Sequence, residues 1–456
     1  MTEEIGHLID LWGWAHALSA FVLWLAALPF RFLSWIANSV TGSTHNPLDD
    51  FVSWLTGGGV TDAVAVLVGV MILLLWATLV HLLIVMWIER KFYSRLQDRR
   101  GVMLGLGSSD LLRRILGPIP LIGRPFRRAS HLGMGFLQNV ADGLKLFQKE
   151  VITPASADKW MFHAAPAIIG ASTLFLFVAI PWSDGFWLMG WRETQLVNGV
   201  PTAVVVNPWG VLWILAAFGI APLGILIAGW ASNNKYTLLG GMRAAAQLMS
   251  YEIPLVLSII AVVVISGTLD PFEFFRDQKG SLTIGTVSVP FLPNWYIFHP
   301  VLWIAFAVFF VAIIAEAERI PFDIPEAEAE LVEGWTTEYS GMRFGIVFGF
   351  KWLRAVAGAA LMVIMFFGGW SGPVFATLWA PNITTPAPDL YAIPILPQEF
   401  WFTVKVYIVV MIFVWISWSV PRVRIDQILH IGWRWLVPLS VLAILLAVLA
   451  RGVGWA

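Results

Sequence analysis

The sequence predicts an all-α polytopic membrane protein with eight core transmembrane helices and a possible ninth N-terminal transmembrane or interfacial helix. Of its 456 residues, 58% are hydrophobic and only 12% are charged, and the mean hydropathy is +0.77. Repeated apolar runs reach the roughly 20 residues that a helix needs to cross ~30 Å of hydrocarbon. The alternating pattern of barrel strands is not seen, so helices must satisfy the backbone groups in lipid.

Eight apolar runs account for the core helices. The predicted spans cover residues 62–88, 161–181, 208–230, 247–267, 299–319, 343–368, 400–420 and 433–452. Residues 12–40 are a ninth candidate, apolar and rich in Trp, but Pro29, Arg31 and Asn38 interrupt them. A helix lying in the membrane interface explains this segment as well as a span does.

The distribution of basic residues predicts which loops face the cytoplasm. Nearly half of the chain's 28 Lys and Arg lie between the first two spans, and short basic loops stay on the cytoplasmic side. We therefore divide the chain into an N-terminal extension with one apolar helix, residues 1–60, and a membrane domain, residues 61–456. The predicted cytoplasmic loops are 89–160, 230–246, 316–342 and 421–432, and the outer loops are 182–207, 268–298 and 369–399.

The segment 316–338, EAERIPFDIPEAEAELVEGWTTE, is the strongest candidate functional site. It holds eight of the chain's 29 acidic residues and one base, Arg319. The acidic residues are Glu316, Glu318, Asp323, Glu326, Glu328, Glu330, Glu333 and Glu338. Charge is costly beside a bilayer, so an acidic cluster joined to membrane helices indicates a functional site.

The spacing within this acidic loop predicts a short helix. Pro325 suits a first helical turn, where acidic residues favour the helix dipole. Glu326, Glu330 and Glu333 would then share one face, where like charges repel and their titrations become coupled. A proton-binding or partner-binding role is predicted for this face, whereas Glu328 is equally well explained as a solvated surface residue.

A second group of charges begins the span at 247. Lys235 and Arg243 precede it, and Glu252 is expected just inside its start. Glu252 could simply compensate the helix dipole. The functional alternative, which the nearby Tyr251 and Arg243 favour, is a protonatable carboxyl at the membrane boundary with a pKa set by desolvation and by the neighbouring base.

The long basic loop contains two amphipathic segments. Residues 136–150 place Phe136, Val140, Leu144 and Phe147 on one face, which predicts a helix lying at the interface. Residues 101–131 mix Leu and Ile with several Arg. Such a segment usually lies on anionic lipid, and a contact with a partner protein is the alternative.

The chain has no cysteine. Disulfides, iron–sulfur ligation and Cys-based zinc sites are therefore excluded within it. Any electron carriers that serve this protein must be bound by partner subunits, and no cofactor or metal is expected in the chain itself.

Several of these segments carry a resemblance to a known family. The strings are ERK at 89–91, LQNVADGLKLFQKE at 137–150, GWASNNKY at 229–236, LLGGMRAAAQLMSYE at 238–252, AERIPFDIPEAEAELVEG at 317–334, EYSGMRFG at 338–345, FFGGW at 366–370 and PRVRIDQ at 421–427. In this order they resemble the NuoH subunit of bacterial NADH:quinone oxidoreductase, respiratory complex I, with its mitochondrial and plastid homologues. The resemblance extends over about residues 62–452.

The resemblance implies a membrane-arm subunit of a proton-translocating complex in the bacterial inner membrane. It implies a quinone chamber shared with peripheral-arm iron–sulfur subunits, contacts with other membrane-arm subunits and lipids, and quinone as the substrate, with FMN and Fe–S clusters in partners. The subunit would not be catalytic alone and would not bind nucleic acid. The residues matching the chamber and its charge relay are Arg243, Glu252, Glu316, Arg319, Asp323, Glu326, Glu328 and Glu330, with Lys235 and Asp142 as further members.

The chain departs from the family pattern at two places. The family string GPNRVG after the first loop helix has no counterpart, and the region carries an insertion instead. In the sixth span the family has Glu-Tyr where this chain has Lys351 and Trp352. We hypothesise that Lys351 belongs to the relay and pairs with Glu318 or Glu333.

Two other function classes stay open at this stage. One is the equivalent membrane subunit of a related hydrogenase or of a dehydrogenase with another electron donor, because the donor would bind elsewhere. The other is a free-standing ion channel or transporter. Broken midplane helices and inverted repeats would favour a transporter, and the sequence shows neither.

Overall fold

The computed structural model describes residues 80–99, 101, 137–181, 209–278, 281–284, 287–325, 332–369 and 398–453. The chain divides into two compact units, and all of these residues belong to one of them, 77–181 with 207–456. The other unit is 1–76 with 182–206. The predicted helix at 12–40, most of the span at 62–88 and the insertion after residue 101 lie outside the described residues.

The described residues form helices joined by short loops and one hairpin. The helices are α1 (His81–Leu96), α2 (Leu137–Gln148), α3 (Lys159–Ala179), α4 (Gly210–Ala231), α5 (Lys235–Ser266), α6 (Pro271–Asp277), α7 (Trp303–Glu316), α8 (Gly341–Phe366), α9 (Gln398–Ser419), α10 (Ile425–His430) and α11 (Val437–Val453). A π-helical segment, Ile431–Leu436, joins α10 to α11, and 3-10 turns lie at Tyr296–Phe298, Pro300–Leu302 and Gly334–Thr336. Strands β1 (Ser281–Ile284) and β2 (Val287–Pro293) pair antiparallel.

The predicted all-α membrane class is confirmed. Within the described ranges, six helices are long and apolar enough to cross a membrane: α3, α4, α5, α8, most of α9, and the run from α10 to α11. The segment Pro300–Glu316 is apolar but shorter. The β-hairpin is a small addition in the loop predicted at 268–298, which the sequence analysis did not anticipate.

Helix α5 begins at Lys235, well before the span start predicted at residue 247. The side chain of Asn234 accepts a hydrogen bond from the Tyr236 amide at 3.1 Å, which caps this start. The helix ends at Ser266, and Gly267 caps it with a φ of +80°, a conformation that glycine adopts without strain. Its 32 residues span roughly 48 Å at ~1.5 Å per residue, so α5 extends beyond the hydrocarbon layer.

Helix α8 is the most enclosed of the six candidate spans. In its most apolar window 78% of the residues are buried, against 28% for the run from α10 to α11. It packs against α1, α2, α3, α7 and α9, whereas α5 packs against α4, α7 and α11. Charged side chains on α8 therefore face other helices rather than lipid.

Segments from several of the predicted cytoplasmic loops contact one another at one end of the helices. The Asp158 amide donates to the Ala231 carbonyl at 3.0 Å, and the Val423 amide donates to the Pro321 carbonyl at 3.1 Å. Asn234 donates to Oε1 of Glu338 at 2.8 Å. We name this the charged end, and the end that carries α6 and the hairpin the opposite end.

Candidate functional site

The site is built where α7 ends. Helix α7 stops at Glu316, and Glu318 has a φ of +50°, which L-residues rarely adopt. Such strained residues persist where the surrounding structure holds them, often at functional sites. The turn directs Glu316 and Glu318 into the protein, where each is only 2% exposed.

Glu316 forms a buried ion pair with Arg354 of α8. Nη2 of Arg354 donates to Oε1 of Glu316, and the two side chains are 5% and 2% exposed. The contact is made through single atoms. Oε2 of Glu316 and Nε of Arg354 are buried without a hydrogen-bond partner among the described residues.

Lys351 lies one turn earlier on α8 and is shared by two carboxylates. Its Nζ lies 3.4 Å from Oδ1 of Asp323 and 3.7 Å from Oε2 of Glu318. The Lys351 side chain is 9% exposed. The hypothesis that Lys351 pairs with one of the surplus acids is therefore right for Glu318. The alternative partner, Glu333, is exposed.

The charges continue outward from Lys351. Oδ2 of Asp323 lies 3.6 Å from Nη2 of Arg422, which is 37% exposed and precedes α10. Signs thus alternate from the surface inward through Arg422, Asp323, Lys351 and Glu318. In a row of alternating charges, a change of charge at one residue alters how strongly its neighbour pairs with the residue beyond it.

Arg319 joins this cluster to α1. Its Nη1 lies 3.8 Å from Oε1 of Glu89, and its guanidinium stacks on the ring of Trp352, 3.1 Å from the centroid. Burial raises the pKa of the Glu89 carboxyl, against the opposing effect of Arg319. Glu89 follows directly after the span predicted to end at residue 88, so its carboxyl lies at the predicted membrane boundary and faces Arg319.

Glu252 is placed differently from its prediction. It lies in the middle of α5 and is half-buried, so compensation of a helix N-terminus is not its role. Its Oε1 would lie only 2.6 Å from a Cβ added at Gly219, so the carboxylate rests against the backbone of α4. The neighbouring Tyr251 is buried and donates to the Ile428 carbonyl at 3.0 Å, which ties α5 to α10.

Three further predicted site residues lie on α2 and α5. Lys235 is exposed at the start of α5 and lies over the Tyr236 ring. Arg243 is half-buried on α5. Asp142 of α2 pairs with Arg90 of α1 and is about one third exposed, so it belongs to the contact between α1 and α2.

The acidic loop is described on both sides of its central part. Glu326, Glu328 and Glu330 lie outside the described residues. Glu333 itself is not part of a helix, which corrects the prediction for this residue. Val332 has a φ of +68° and Glu333 a φ of −138°, and neither angle is helical.

The second half of the loop anchors the site against the bundle. The Tyr339 ring stacks on Phe162 with centroids 4.3 Å apart, and its hydroxyl donates to the Phe162 carbonyl. Burial raises the pKa of Tyr339, which keeps the phenol protonated as a donor. Trp335 is 2% exposed in the same apolar cluster. These contacts fix the loop beside Lys351 and Arg354.

Sequence reasoning missed Arg354, Glu89 and Trp335 as members of this region. Arg354 had a usable signal, because a base inside the apolar run LRAVAGAALM must find a partner. Glu89 was quoted only as part of a motif. Trp335 had no signal that distinguishes it from the chain's other Trp residues.

The comparison with known families covers the whole of this region. A family model described as NADH dehydrogenase matches residues 68–448. The chain belongs to the NADH dehydrogenase family. This family comprises membrane subunits of respiratory complex I, so the chain is a membrane subunit of an oxidoreductase complex. The match includes α1 to α10, most of α11 and the entire charged end.

Proposed function

We propose that this member of the NADH dehydrogenase family is the NuoH-type subunit of a proton-translocating NADH:quinone oxidoreductase. In this proposal it lies in the bacterial inner membrane with the charged end towards the cytoplasm. It forms part of the quinone chamber with iron–sulfur partner subunits that carry FMN and Fe–S clusters. The family match and the buried charges beside α7 support this proposal.

The single observation that carries the coupling role is the shared ammonium of Lys351. Two carboxylates, Glu318 and Asp323, lie within 3.7 Å of one Nζ atom. If either carboxylate takes up a proton, the Lys351 ammonium pairs with the carboxylate that is still charged. Protonation linked to quinone reduction can thus shift charge along the chain from Arg422 inward, which is the first step that coupling to proton translocation requires.

Glu326, Glu328 and Glu330 enter the proposal as the proton-collecting part of the acidic loop. We expect Glu326→Gln or Glu330→Gln to give a pH-dependent loss of quinone reductase activity, because each removes one titratable group from a coupled set. Normal pH profiles in both variants would exclude these residues from the relay.

A tagged purification tests the function as a whole. The chain is purified in mild detergent, its partners are identified by mass spectrometry, and NADH:quinone reduction is assayed. The proposal predicts iron–sulfur subunits, antiporter-like membrane subunits and inhibitor-sensitive quinone reduction. A co-purifying hydrogenase component would replace the proposal with the related hydrogenase function, and an isolated ion-conducting chain would overturn both.

A further inference from the structure

A small cavity separates the two ion pairs of the site. Glu316 and Arg354 line it, as do Glu318 and Lys351, and Trp335 lies against it. The remaining wall is apolar and comes from Ile169, Ile225, Val347 and Phe350, with Ala317. The centre of a water molecule can move within about 10 Å³ of this cavity, which is room for one water molecule.

Three of the lining residues bring polar atoms that nothing in the described protein satisfies. They are Oε2 of Glu316, Nε of Arg354 and Nε1 of Trp335. All three residues are more than nine-tenths buried, with exposures of 2%, 4% and 2%. An unsatisfied buried polar atom costs ~1–3 kcal/mol, and three on residues that line one cavity point to a common polar occupant.

The chemistry of these atoms fits water. Arg354 Nε and Trp335 Nε1 can only donate hydrogen bonds, whereas the carboxylate oxygen of Glu316 accepts. A water molecule can accept from both donors and give one hydrogen to Glu316. Its second hydrogen is then available to the other carboxylate that lines the cavity, Glu318. Buried waters typically have two to four such partners.

We propose that a single structural water occupies this cavity and joins the Glu316–Arg354 and Glu318–Lys351 pairs into one proton-transfer unit. In the transfer step Glu316 is protonated, and its O–H replaces the Trp335 Nε1–H as a donor to the water oxygen. Glu316 then gives its proton to that oxygen while the water releases another proton to Glu318. The O–H bond of Glu316 breaks as a new one forms on Glu318, and the water is regenerated. No oxidant or other reactant is needed.

The charges on α8 give this step its direction. The positive charge of Arg354 favours the ionised form of Glu316 and so favours release of its proton. When Glu318 receives the proton, Lys351 can pair with Asp323 alone, because its ammonium already lies 3.4 Å from Asp323. This inference rests on the proposed function for its purpose. The water site itself does not depend on that function.

The test fills the cavity from its apolar wall. Val347→Ile adds one methyl group beside the water position, and Val356→Ile adds the same group elsewhere on α8, at a buried residue outside the cavity wall. Both variants and the wild type are purified as the intact complex. Each is examined by a high-resolution structure and by proton translocation in proteoliposomes.

We expect water density beside Glu316 and Trp335 in the wild type and in Val356→Ile, and none in Val347→Ile. Proton translocation of Val347→Ile should fall about tenfold, which corresponds to ~1.4 kcal/mol in the barrier. Absence of the water from the wild type would overturn the proposal. So would unchanged translocation in a Val347→Ile complex that has lost the water.

Trp335→Phe provides a second test if Val347→Ile fails to assemble. It keeps a ring in the apolar cluster and removes the Nε1 donor, so the water density should weaken and translocation should fall. Unchanged density and translocation would contradict the assigned geometry. A complex with the water in place but no quinone reductase activity in the wild type would refute the proposed function and leave the water site standing.

Discussion

The two ends of the helix bundle handle buried polar groups in opposite ways. At the opposite end, Nζ of Lys405 donates to the carbonyls of Phe367 and Gly369 at 2.7 and 3.0 Å and lies over the Trp295 ring. At the charged end, Lys351 faces the side chains of Glu318 and Asp323 at 3.7 and 3.4 Å. One lysine is held by backbone, and the other is shared by groups that can themselves change charge.

Gln278 shows the same pattern at the opposite end. Its amide nitrogen donates to the carbonyls of Phe274 and Ile364, and its amide oxygen accepts from the Gly368 amide at 2.9 Å. Backbone carbonyl and amide groups do not change charge near neutral pH. These hydrogen bonds therefore hold the loops that follow α6 and α8 in one arrangement. The contacts of the opposite end are therefore structural, whereas the proposed function places the redistribution of protons at the charged end.

The largest expected effect comes from breaking the buried ion pair between Arg354 and Glu316. Arg354→Met leaves Glu316 buried without its counter-charge, which typically costs about 3–5 kcal/mol. We expect the variant complex to assemble poorly and to melt at a lower temperature. The double variant Arg354→Met with Glu316→Leu removes both charges and should recover much of the loss. Equal losses in the single and double variants would contradict the pairing.

Lys405→Met tests the structural role of the opposite end. It leaves two carbonyls near the end of α8 without their donor, and we expect a loss of roughly 1–3 kcal/mol. Thermal melting of the purified complex measures this loss. Quinone reduction and proton translocation per assembled complex should stay at the wild-type level, and a specific loss of translocation would remove the distinction between the two ends.

Gly219→Ala tests whether the position of the Glu252 carboxylate affects proton translocation without affecting assembly. The added Cβ would meet Oε1 of Glu252, the flexible end of a side chain, so the carboxylate should move at little cost in stability. We expect near-normal assembly with reduced proton translocation. Gly143→Ala in α2 is the matched control, since its Cβ would meet nothing within 4 Å. Equal translocation in both variants would exclude Glu252 from the relay.

The smallest expected effect belongs to Asp142. Its pair with Arg90 is about one third exposed on both sides, and such pairs contribute ~0–1 kcal/mol. Asp142→Asn should therefore leave the melting temperature and turnover of the complex nearly unchanged. A large loss of quinone reduction, measured at normal assembly, would return Asp142 to the functional site.

The sequence predicted the helical membrane class because that class depends on local hydropathy. It did not predict that α5 extends back to Lys235, because GGMRAAAQ lowers the apolar signal, although Asn234 is a recognisable cap. It did not pair Arg354 with Glu316, because that contact joins α8 to α7 and depends on helix orientation. Lys351 was recognised only because the resemblance marked it as a departure.

The measurement that tests the account most directly compares Lys351→Met with Lys405→Met in reconstituted complexes. Protons translocated and quinone reduced are measured together, at equal amounts of assembled complex. We predict that Lys351→Met loses most translocation, because the charge between Glu318 and Asp323 is gone, while Lys405→Met retains it. Unchanged turnover and translocation in Lys351→Met would contradict the coupling role of the charged end.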